Sequence, residues 1–307
     1  MKPMNPISSR TNLRVQLTGL ILIFFINCSF VTYPGDKNDR VPPVVSVAWM
    51  KEKMSDPDIV ILHVAPVKRD YDSGHIPGAR FLWPGYVIIS TETESTLTAP
   101  LEDITKLMQS LGVNNNSHVI LCGIYGNIVP VCRVFVNLEH AGLKGRVSVL
   151  DGGFDAWKAA GKEVSTDAPI VKKGKFTSSY YENLVDNPWM VSNLTSKSFS
   201  IIDARPRAQY DGSTGLPRPG HIPGARNLPP TELYDSKTFQ FLDAEKLAQN
   251  FEKIEIPDDS RPVFYCHTGN SASVAYVAAL ISGYDPLIYE GSMEEWGSKM
   301  ELPVEKN

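Results

Sequence analysis

The stretch RPVFYCHTGNSASVAYVAAL, residues 261–280, holds the side chain with the clearest chemical use, Cys266. A short apolar run leads into this cysteine, a loop containing Gly269 follows, and a helix rich in Ala and Val is predicted to start at Ser271. The N–H groups of such a loop and the start of such a helix both stabilise a thiolate or an anionic sulfur group. These residues predict a nucleophilic cysteine, with an inert buried cysteine at a strand end as the alternative.

Length and composition narrow the classes of protein to consider. The chain has 307 residues, which predicts two domains, and its net charge of −4 gives no basic excess that would indicate nucleic-acid binding. Its four cysteines follow neither the pattern of a disulfide framework nor the paired spacing of a zinc site. We therefore expect no metal and no cofactor. The cysteines are Cys28, Cys122, Cys132 and Cys266.

The N-terminus has the pattern of an export signal. Lys2, Arg10 and Arg14 precede an apolar run over residues 17–31, which is shorter than the roughly 20 residues of a full membrane span. Residues 1–31 are predicted to be a signal peptide or a membrane anchor, and residues 32–42 a polar tether. We expect the protein in the periplasm or cell envelope, released or attached to the membrane through its N-terminus. Cys28, near the end of the run, is a candidate for lipidation.

Beyond the tether the sequence repeats itself. GHIPGAR occurs twice, at residues 74–80 and 220–226, and two further blocks recur in the same order. HVILCGIYG, from residue 118, answers PVFYCHTGN, and VSVLDGGFDAW, from residue 147, answers PLIYEGSMEEW. Such a repeat predicts a duplicated domain. We place the first domain at residues 43–164, a linker at 165–184 and the second domain at 185–305.

Each half alternates short apolar runs with helical patterns, which predicts an α/β fold with a parallel sheet and helices on both faces. In the first half, Thr98 is the predicted N-cap of the helix LEDITKLMQSLGV. Functional sites in such sheets form at the carboxyl ends of the strands. Cys122 and Cys266 are both predicted to lie at this end, in matching positions of the two halves.

These segments resemble the rhodanese family, the thiosulfate and 3-mercaptopyruvate sulfurtransferases. CHTGNSA fits the family's active-site loop C-x-x-G-x-[ST]-A, and GHIPGA and DGGFDAW resemble two of its other hallmark segments. The resemblance covers about residues 41–303. It implies two rhodanese-like domains and a transfer in two steps without a cofactor. Cys266 would take a sulfane sulfur from a small anionic donor and pass the resulting persulfide sulfur to cyanide or a thiol.

The resemblance also implies roles for other residues. Arg205 would contact the anionic donor, and Asp203 would orient Arg205 or the loop. The histidines of the two GHIPGA copies, His75 and His221, are hydrogen-bonding turn residues, although a relay from His75 to Thr268 is an open alternative. The loop residues that would bind substrate are His267, Thr268, Gly269, Asn270 and Ser271.

The chain departs from the family pattern in two places. His267 and Thr268 match neither the cationic loop of the thiosulfate enzymes nor the small loop of the mercaptopyruvate enzymes, so the donor stays open. In the first half, His63 and Ala65 stand where the second has Asp203 and Arg205. The first loop, aligned on Cys122, has Tyr125 in place of Gly269 and Asn127 in place of Ser271. We expect a non-catalytic first domain in which Cys122 is at most a resolving or accessory thiol.

Three other functions would each leave a different mark on the second loop. A phosphatase on this fold needs the loop C-x5-R, but Ala272 stands where the arginine belongs. A sensor or scaffold without activity would have a disrupted loop, and the second loop is intact. A persulfide carrier that receives sulfur from a protein partner is the remaining alternative to an enzyme.

Overall fold

The computed structural model describes residues 41–124, 126–214 and 217–306. The predicted export segment, Cys28 and nearly all of the predicted tether lie outside the described residues. Over the ranges that are described, no helix is both long enough and apolar enough to cross a membrane.

The first sheet consists of five short strands. They are β1 (Val44–Val45), β2 (Ile59–Val64), β3 (Arg80–Leu82), β6 (His118–Cys122) and β7 (Val147–Leu150). All neighbours are parallel, in the order β1-β7-β6-β2-β3. A separate antiparallel pair, β4 (Ile88–Ile89) and β5 (Leu97–Thr98), follows the third strand.

The second sheet repeats this arrangement. Its strands are β8 (Leu184–Val185), β9 (Phe199–Asp203), β10 (Arg226–Asn227), β11 (Arg261–Tyr265) and β12 (Leu287–Tyr289). They are parallel as well, in the order β10-β9-β11-β12-β8. The order matches the first sheet strand for strand, so the predicted α/β fold with two parallel sheets is confirmed.

Ten α-helices connect and cover the strands of the described chain. The helices up to residue 159 are α1 (Val47–Lys53), α2 (Lys68–Asp72), α3 (Leu101–Ser110), α4 (Ile128–Leu138) and α5 (Gly153–Ala159). The later ones are α6 (Asn187–Asn193), α7 (Arg207–Tyr210), α8 (Ala244–Lys253), α9 (Ala272–Ile281) and α10 (Ser292–Ser298).

The predicted N-cap of α3 is wrong. Thr98 lies in β5, and its backbone N–H and hydroxyl both donate to the Glu290 carboxylate of the second domain, at 2.6 and 2.5 Å. The cap position is Pro100, whose side chain makes no capping hydrogen bond. Glu102 and Asp103 in the first turn favour the positive end of the helix dipole instead. Thr98 therefore joins the two domains rather than starting a helix.

The two domains share one apolar core. Helices α4 and α9 are buried on nearly all sides, and they pack against each other between the sheets. An amphipathic helix would leave one face to water, but a helix that is apolar all round is stable only when it is enclosed. The predicted linker also adheres to the first domain, because Phe176 is fully buried and Gln109 donates to its carbonyl at 2.9 Å.

An ion pair is buried at the end of β9. The Arg205 side chain is 2% exposed, and its Nε and Nη2 donate to the Asp203 carboxylate at 2.5–3.0 Å. Nη2 also donates to the Gly220 carbonyl, at 2.7 Å, and the Tyr265 hydroxyl donates to Asp203 at 2.8 Å. Burial acts to lower the pKa of Arg205, but the hydrogen bonds and charge of Asp203 raise it overall. This pair fixes the second GHIPGA turn to the sheet.

In the first domain, His63 occupies the position that Asp203 has in the second, but it makes no comparable set of hydrogen bonds. Its side chain is fully buried against the rings of Tyr71 and Phe154, and within the described chain neither ring nitrogen has a hydrogen-bond partner. Burial, together with the charge of His75, lowers the pKa of His63 to about 4, while Asp70 acts in the opposite direction. The folded state therefore holds a neutral imidazole.

Replacing Arg205 by Ala is expected to lower the free energy of unfolding by about 3–5 kcal/mol, because it leaves the Asp203 charge buried and unpaired. Arg207→Ala is the matched control. Arg207 pairs with Asp211 on the surface, where its side chain is 66% exposed, and its loss should leave stability nearly unchanged. Urea unfolding of the three proteins measures the difference. Equal stability of Arg205→Ala and the wild type would show that the buried pair does not support the fold.

The protein is expected to lose stability as the pH falls from about 6.5 to about 4, because the unfolded chain protonates His63 before the folded chain does. Above pH 6.5 the imidazole is neutral in both states and this contribution is fully present. At the acid end the loss should be on the order of 3 kcal/mol. In His63→Phe this part of the pH dependence should be missing from urea titrations at pH 7 and pH 4.5. An identical pH dependence in both proteins would rule out His63 as its source.

Candidate active site

Cys266 lies directly after the central strand of the second sheet. It follows β11, and residues 266–271 form a loop, named here the cysteine loop, that leads into α9. The cysteine is 3% exposed. Ser271 stands at the N-cap of α9, as predicted, but its side chain makes no capping hydrogen bond and is half-buried. The loop thus places a nearly enclosed thiol at the carboxyl end of a parallel sheet.

The start of α10 binds the carbonyl groups at the beginning of the cysteine loop. The N–H of Met293 donates to the Cys266 carbonyl at 3.1 Å, and the N–H of Glu294 donates to the His267 carbonyl at 2.8 Å. Ser292 accepts from the N–H of Cys266 at 3.2 Å. The bonds from Met293 and Glu294 use donors that a helix start leaves without an intrahelical partner. They also fix which way the first two peptide units of the loop face.

The next two carbonyls are bound by hydroxyl groups. The Thr96 hydroxyl, from the first domain, donates to the Thr268 carbonyl, and the Ser273 hydroxyl donates to that of Gly269 at 3.1 Å. Gly269 has φ +82°, and a Cβ there would lie 3.1 Å from the Glu290 carbonyl oxygen. Glycine is therefore required at this position for both conformation and space.

The N–H groups of the loop remain available. Across the described part of the chain, no backbone N–H of residues 267 to 272 donates a hydrogen bond to a protein acceptor. Successive free N–H groups at a helix start form a binding site for an anion. The arrangement can therefore stabilise an anionic sulfur species on Cys266 or a small anion beside it.

The first domain lacks a nucleophile at the equivalent position. Strand pairing places Cys122 opposite His63, whereas Tyr265 lies opposite Asp203, so the structural counterpart of Cys122 is Tyr265. Gly123 is the counterpart of Cys266, because its carbonyl accepts from the N–H of Phe154, at 2.8 Å, as that of Cys266 does from Met293. The predicted match of Cys122 with Cys266 is wrong by one residue.

This correction changes how the first loop compares with the second. Gly126 now matches Gly269, and both glycines have positive φ, +63° and +82°. Ile128 rather than Asn127 stands in the place of Ser271. The first loop has therefore kept its glycine and lost both the thiol and the hydroxyl. The signal was available in the sequence, because Gly-Asn occurs in both loops.

The Cys122 thiol is also unsuited to accessory chemistry. It is fully buried, and burial, with a smaller contribution from the Asp155 charge, raises its pKa far above the usual value. Cys132 is buried too, and burial raises its pKa in the same way. Among the described cysteines, Cys122, Cys132 and Cys266 are all free thiols.

A phenylalanine from the second domain covers the first loop. The ring of Phe239 lies against Gly126 so closely that a Cβ there would come within 2.1 Å of it. Phe239 itself has φ +55°, a strained conformation for a non-glycine residue. Two residues later, the N–H of Phe241 donates to Asp151 at 2.9 Å. The first loop is therefore closed by a side chain, and sequence reasoning missed this contact.

The two GHIPGA histidines lie in turns and not at the thiol. The ring of His75 stacks on Tyr71 at 3.9 Å, and its nitrogens lie 2.9 and 3.2 Å from the carbonyls of Tyr71 and Asp167. His221 stacks on Tyr210 at 3.8 Å and bonds to the carbonyl of that tyrosine. The bonds of His75 fit its expected role as a turn residue, and they leave neither ring nitrogen for the relay to Thr268 that was the alternative.

The remaining predicted site residues are partly brought together. His267 is exposed beside Cys266, and Thr268 and Asn270 are half-buried, with the Asn270 amide 3.4 Å from the Thr268 hydroxyl. The bonded nitrogens of Arg205 point to Asp203 and Gly220 instead of the cysteine loop. A donor-binding role for Arg205 stays a prediction. Among the described side chains, no group of three or more His, Cys, Asp or Glu could hold a metal ion.

Comparison with known proteins agrees with this geometry. A model of the rhodanese-like domain matches residues 46–160 and 186–299. The 3-mercaptopyruvate sulfurtransferase of Escherichia coli K12 is 31% identical over 292 residues, which cover 85% of this chain and 97% of that protein. The thiosulfate sulfurtransferase of Azotobacter vinelandii is 28% identical over 268 residues, covering 86% and 97%.

A solved structure extends the likeness to three dimensions. The crystal structure of a 3-mercaptopyruvate sulfotransferase from Escherichia coli superimposes with a TM-score of 0.73 at 27% identity. The superposition covers 82% of this chain and 99% of that one. With two matched domains, a repeated sheet order and a complete cysteine loop in the second half, the chain belongs to the rhodanese family.

Proposed function

We propose that the chain is a sulfurtransferase that carries a sulfane sulfur as a persulfide on Cys266. The observation that supports this most strongly is the set of unpaired N–H groups from residue 267 to 272 around the start of α9. A thiolate and a persulfide are both anions, so the same donors stabilise the nucleophile before and after it takes up sulfur.

In the first step the Cys266 thiolate attacks the outer sulfur of the donor. With thiosulfate, a sulfur–sulfur bond forms to Cys266, the sulfur–sulfur bond of the donor breaks, and its electron pair leaves with sulfite. With 3-mercaptopyruvate, the carbon–sulfur bond breaks, and the proton of the donor thiol ends on the methyl group of pyruvate. Either reaction conserves charge and requires no external oxidant.

In the second step a thiophilic acceptor attacks the outer sulfur of the persulfide. Cyanide would leave as thiocyanate, and a thiolate would leave as a new persulfide. The sulfur–sulfur bond breaks with its electron pair on Cys266, which restores the thiolate. The two half-reactions use one site in turn, which is the basis of ping-pong kinetics.

We propose two donors, thiosulfate and 3-mercaptopyruvate. Both are small anions, and the two relatives described above carry one of these activities each in their names. The cysteine loop contains no Lys or Arg. His267, which is exposed, is the basic side chain in this loop. Backbone N–H groups would then bind the anion, with His267 at the entrance. The ratio of kcat/KM for the two donors decides between them.

The first domain is proposed to be a non-catalytic partner. Gly123 replaces the nucleophile, and the Phe239 ring fills the space over Gly126. The first domain also contributes the Thr96 hydroxyl, which donates to a carbonyl of the cysteine loop in the second domain. We further propose that the chain is exported to the cell envelope, on the basis of the basic N-terminus and the apolar run at residues 17–31.

Cys266→Ser should abolish sulfur transfer from both donors to cyanide, because the hydroxyl cannot form the persulfide. Cys122→Ser is the matched control and should keep most of the wild-type kcat/KM, since Cys122 is buried away from the loop. Steady-state assays of thiocyanate formation measure both. Equal loss in the two variants would contradict the assignment. Single-turnover loading of Cys266 without catalytic turnover would instead indicate a persulfide carrier.

Export predicts that the full chain is recovered from the cell envelope or periplasm when expressing cells are fractionated. Cys28→Ala should release a lipid-anchored form and leave a simple secreted form unchanged. Recovery of the unprocessed chain in the soluble cytoplasm would show that the prediction for residues 1–31 is wrong.

A further inference from the structure

One buried guanidinium touches the cysteine loop from the opposite domain. Arg133 lies on α4 of the first domain and is 2% exposed. Its Nη2 donates to the Glu290 carboxylate at 2.6 Å and to the Thr96 carbonyl at 2.7 Å. Both partners also bind residues at the domain boundary, because Glu290 accepts from Thr98 and Thr96 donates to Thr268. Arg133 therefore lies at the centre of the contact that closes the first domain over the loop.

The other nitrogens of this guanidinium have no acceptor. Nε and Nη1 of Arg133 are both buried, and within the described chain neither has a hydrogen-bond partner. Nη1 faces the cysteine loop, since a Cβ built on Gly269 would lie 3.2 Å from it. Leaving buried donors of a charged group unpaired carries a large desolvation cost. Because this unfavourable burial occurs beside a proposed anion site, the positive charge of Arg133 can offset it by stabilising the anion there.

In the ion pair of Arg133 with Glu290, the guanidinium is the group whose unpaired nitrogen faces the cysteine loop. Arg133 has one carboxylate partner, Glu290, and that carboxylate is shared with the N–H and hydroxyl of Thr98. Arg133 on α4 and Tyr276 on α9 are equivalent positions, because each lies seven residues after the glycine of its loop, Gly126 or Gly269. The first loop, which has no thiol, is therefore not backed by a guanidinium from that position. The other titratable groups around Arg133 and Glu290 are His140, Glu94, Glu294, Glu295 and Lys299, which pairs with Glu295.

Building on the proposed function, we propose that Arg133 is a positioning residue for sulfur transfer. Its buried positive charge stabilises the anionic sulfur of Cys266 through the cysteine loop, while its bonds to Thr96 and Glu290 hold the loop in the conformation with free N–H groups. Because Nη1 is closed off from solvent, Arg133 acts on the thiolate through the low-dielectric interior and does not contact the donor. The first domain thereby contributes a charge to a reaction that takes place in the second.

The test is the rate at which iodoacetamide alkylates Cys266 between pH 5 and 10, read by peptide mass spectrometry. This neutral reagent reports thiolate formation without donor binding. Arg133→Met should lower the rate at pH 7 by about tenfold and move the midpoint of its pH profile upward. Arg133→Lys, which keeps the charge, should recover most of the rate. Arg146→Met, an arginine of the same domain at the opposite end of the sheet, is the control and should match the wild type.

Glu290→Gln separates charge from structure. Removing the negative partner while keeping the shape should move the midpoint of the pH profile downward, opposite to Arg133→Met, whereas a purely structural role predicts slower alkylation in both variants. Slower alkylation in both, or no change in either, would overturn the proposal. If wild-type Cys266 neither reacts nor forms a persulfide with either donor, the proposed function fails instead. If the wild type reacts and forms a persulfide, and Arg133→Met behaves identically, this inference alone fails.

Discussion

Two hydrogen bonds from the start of α10 determine the shape of the candidate site. By binding the carbonyls of Cys266 and His267, the N–H groups of Met293 and Glu294 set the orientation of the peptide units that follow the strand. The loop N–H groups are then left for an anion. The helix is anchored by Trp296, which is fully buried and donates to the Pro303 carbonyl at 2.9 Å. The orientation of the peptide units after Cys266 thus depends on a helix that begins about thirty residues further along the chain.

Both domains contain the same supporting hydrogen bonds around the loop, but they differ in the side chains at the loop. In the first domain Phe154 binds the Gly123 carbonyl, and Trp157 donates to the Glu163 carbonyl at 2.7 Å, as Trp296 does to Pro303. In each domain an acidic residue after the last strand binds a backbone N–H of the other domain. Asp151 accepts from Phe241, and Glu290 accepts from Thr98. The two domains differ in the residue two positions before that N–H. In the second domain it is Phe239, whose ring covers the first loop. In the first domain it is Thr96, whose hydroxyl donates to the Thr268 carbonyl of the cysteine loop.

The sequence was informative where the structure depends on local pattern. The alternation of strands and helices, the repeat and the loop CHTGNSA can each be recognised from short stretches of sequence, and the predicted parallel sheets are present. The match of Cys122 with Cys266 failed because both cysteines stand near the end of a strand in similar sequence. The pairing with the neighbouring strand, which a single sequence does not show, places Cys122 opposite His63 and Tyr265 opposite Asp203. The buried contacts of Arg133 and Phe239 join residues far apart in the chain, so no local pattern could predict them.

The central claim is that the second cysteine loop alone carries sulfur. Its most direct test is the mass of the intact protein after brief exposure to either donor without acceptor, followed by location of the modification by peptide mapping under non-reducing conditions. One added sulfur atom per chain is expected, on the peptide containing Cys266, and it should be lost when cyanide is added. Added sulfur on Cys122, or a stable unmodified Cys266 after exposure to both donors, would contradict it.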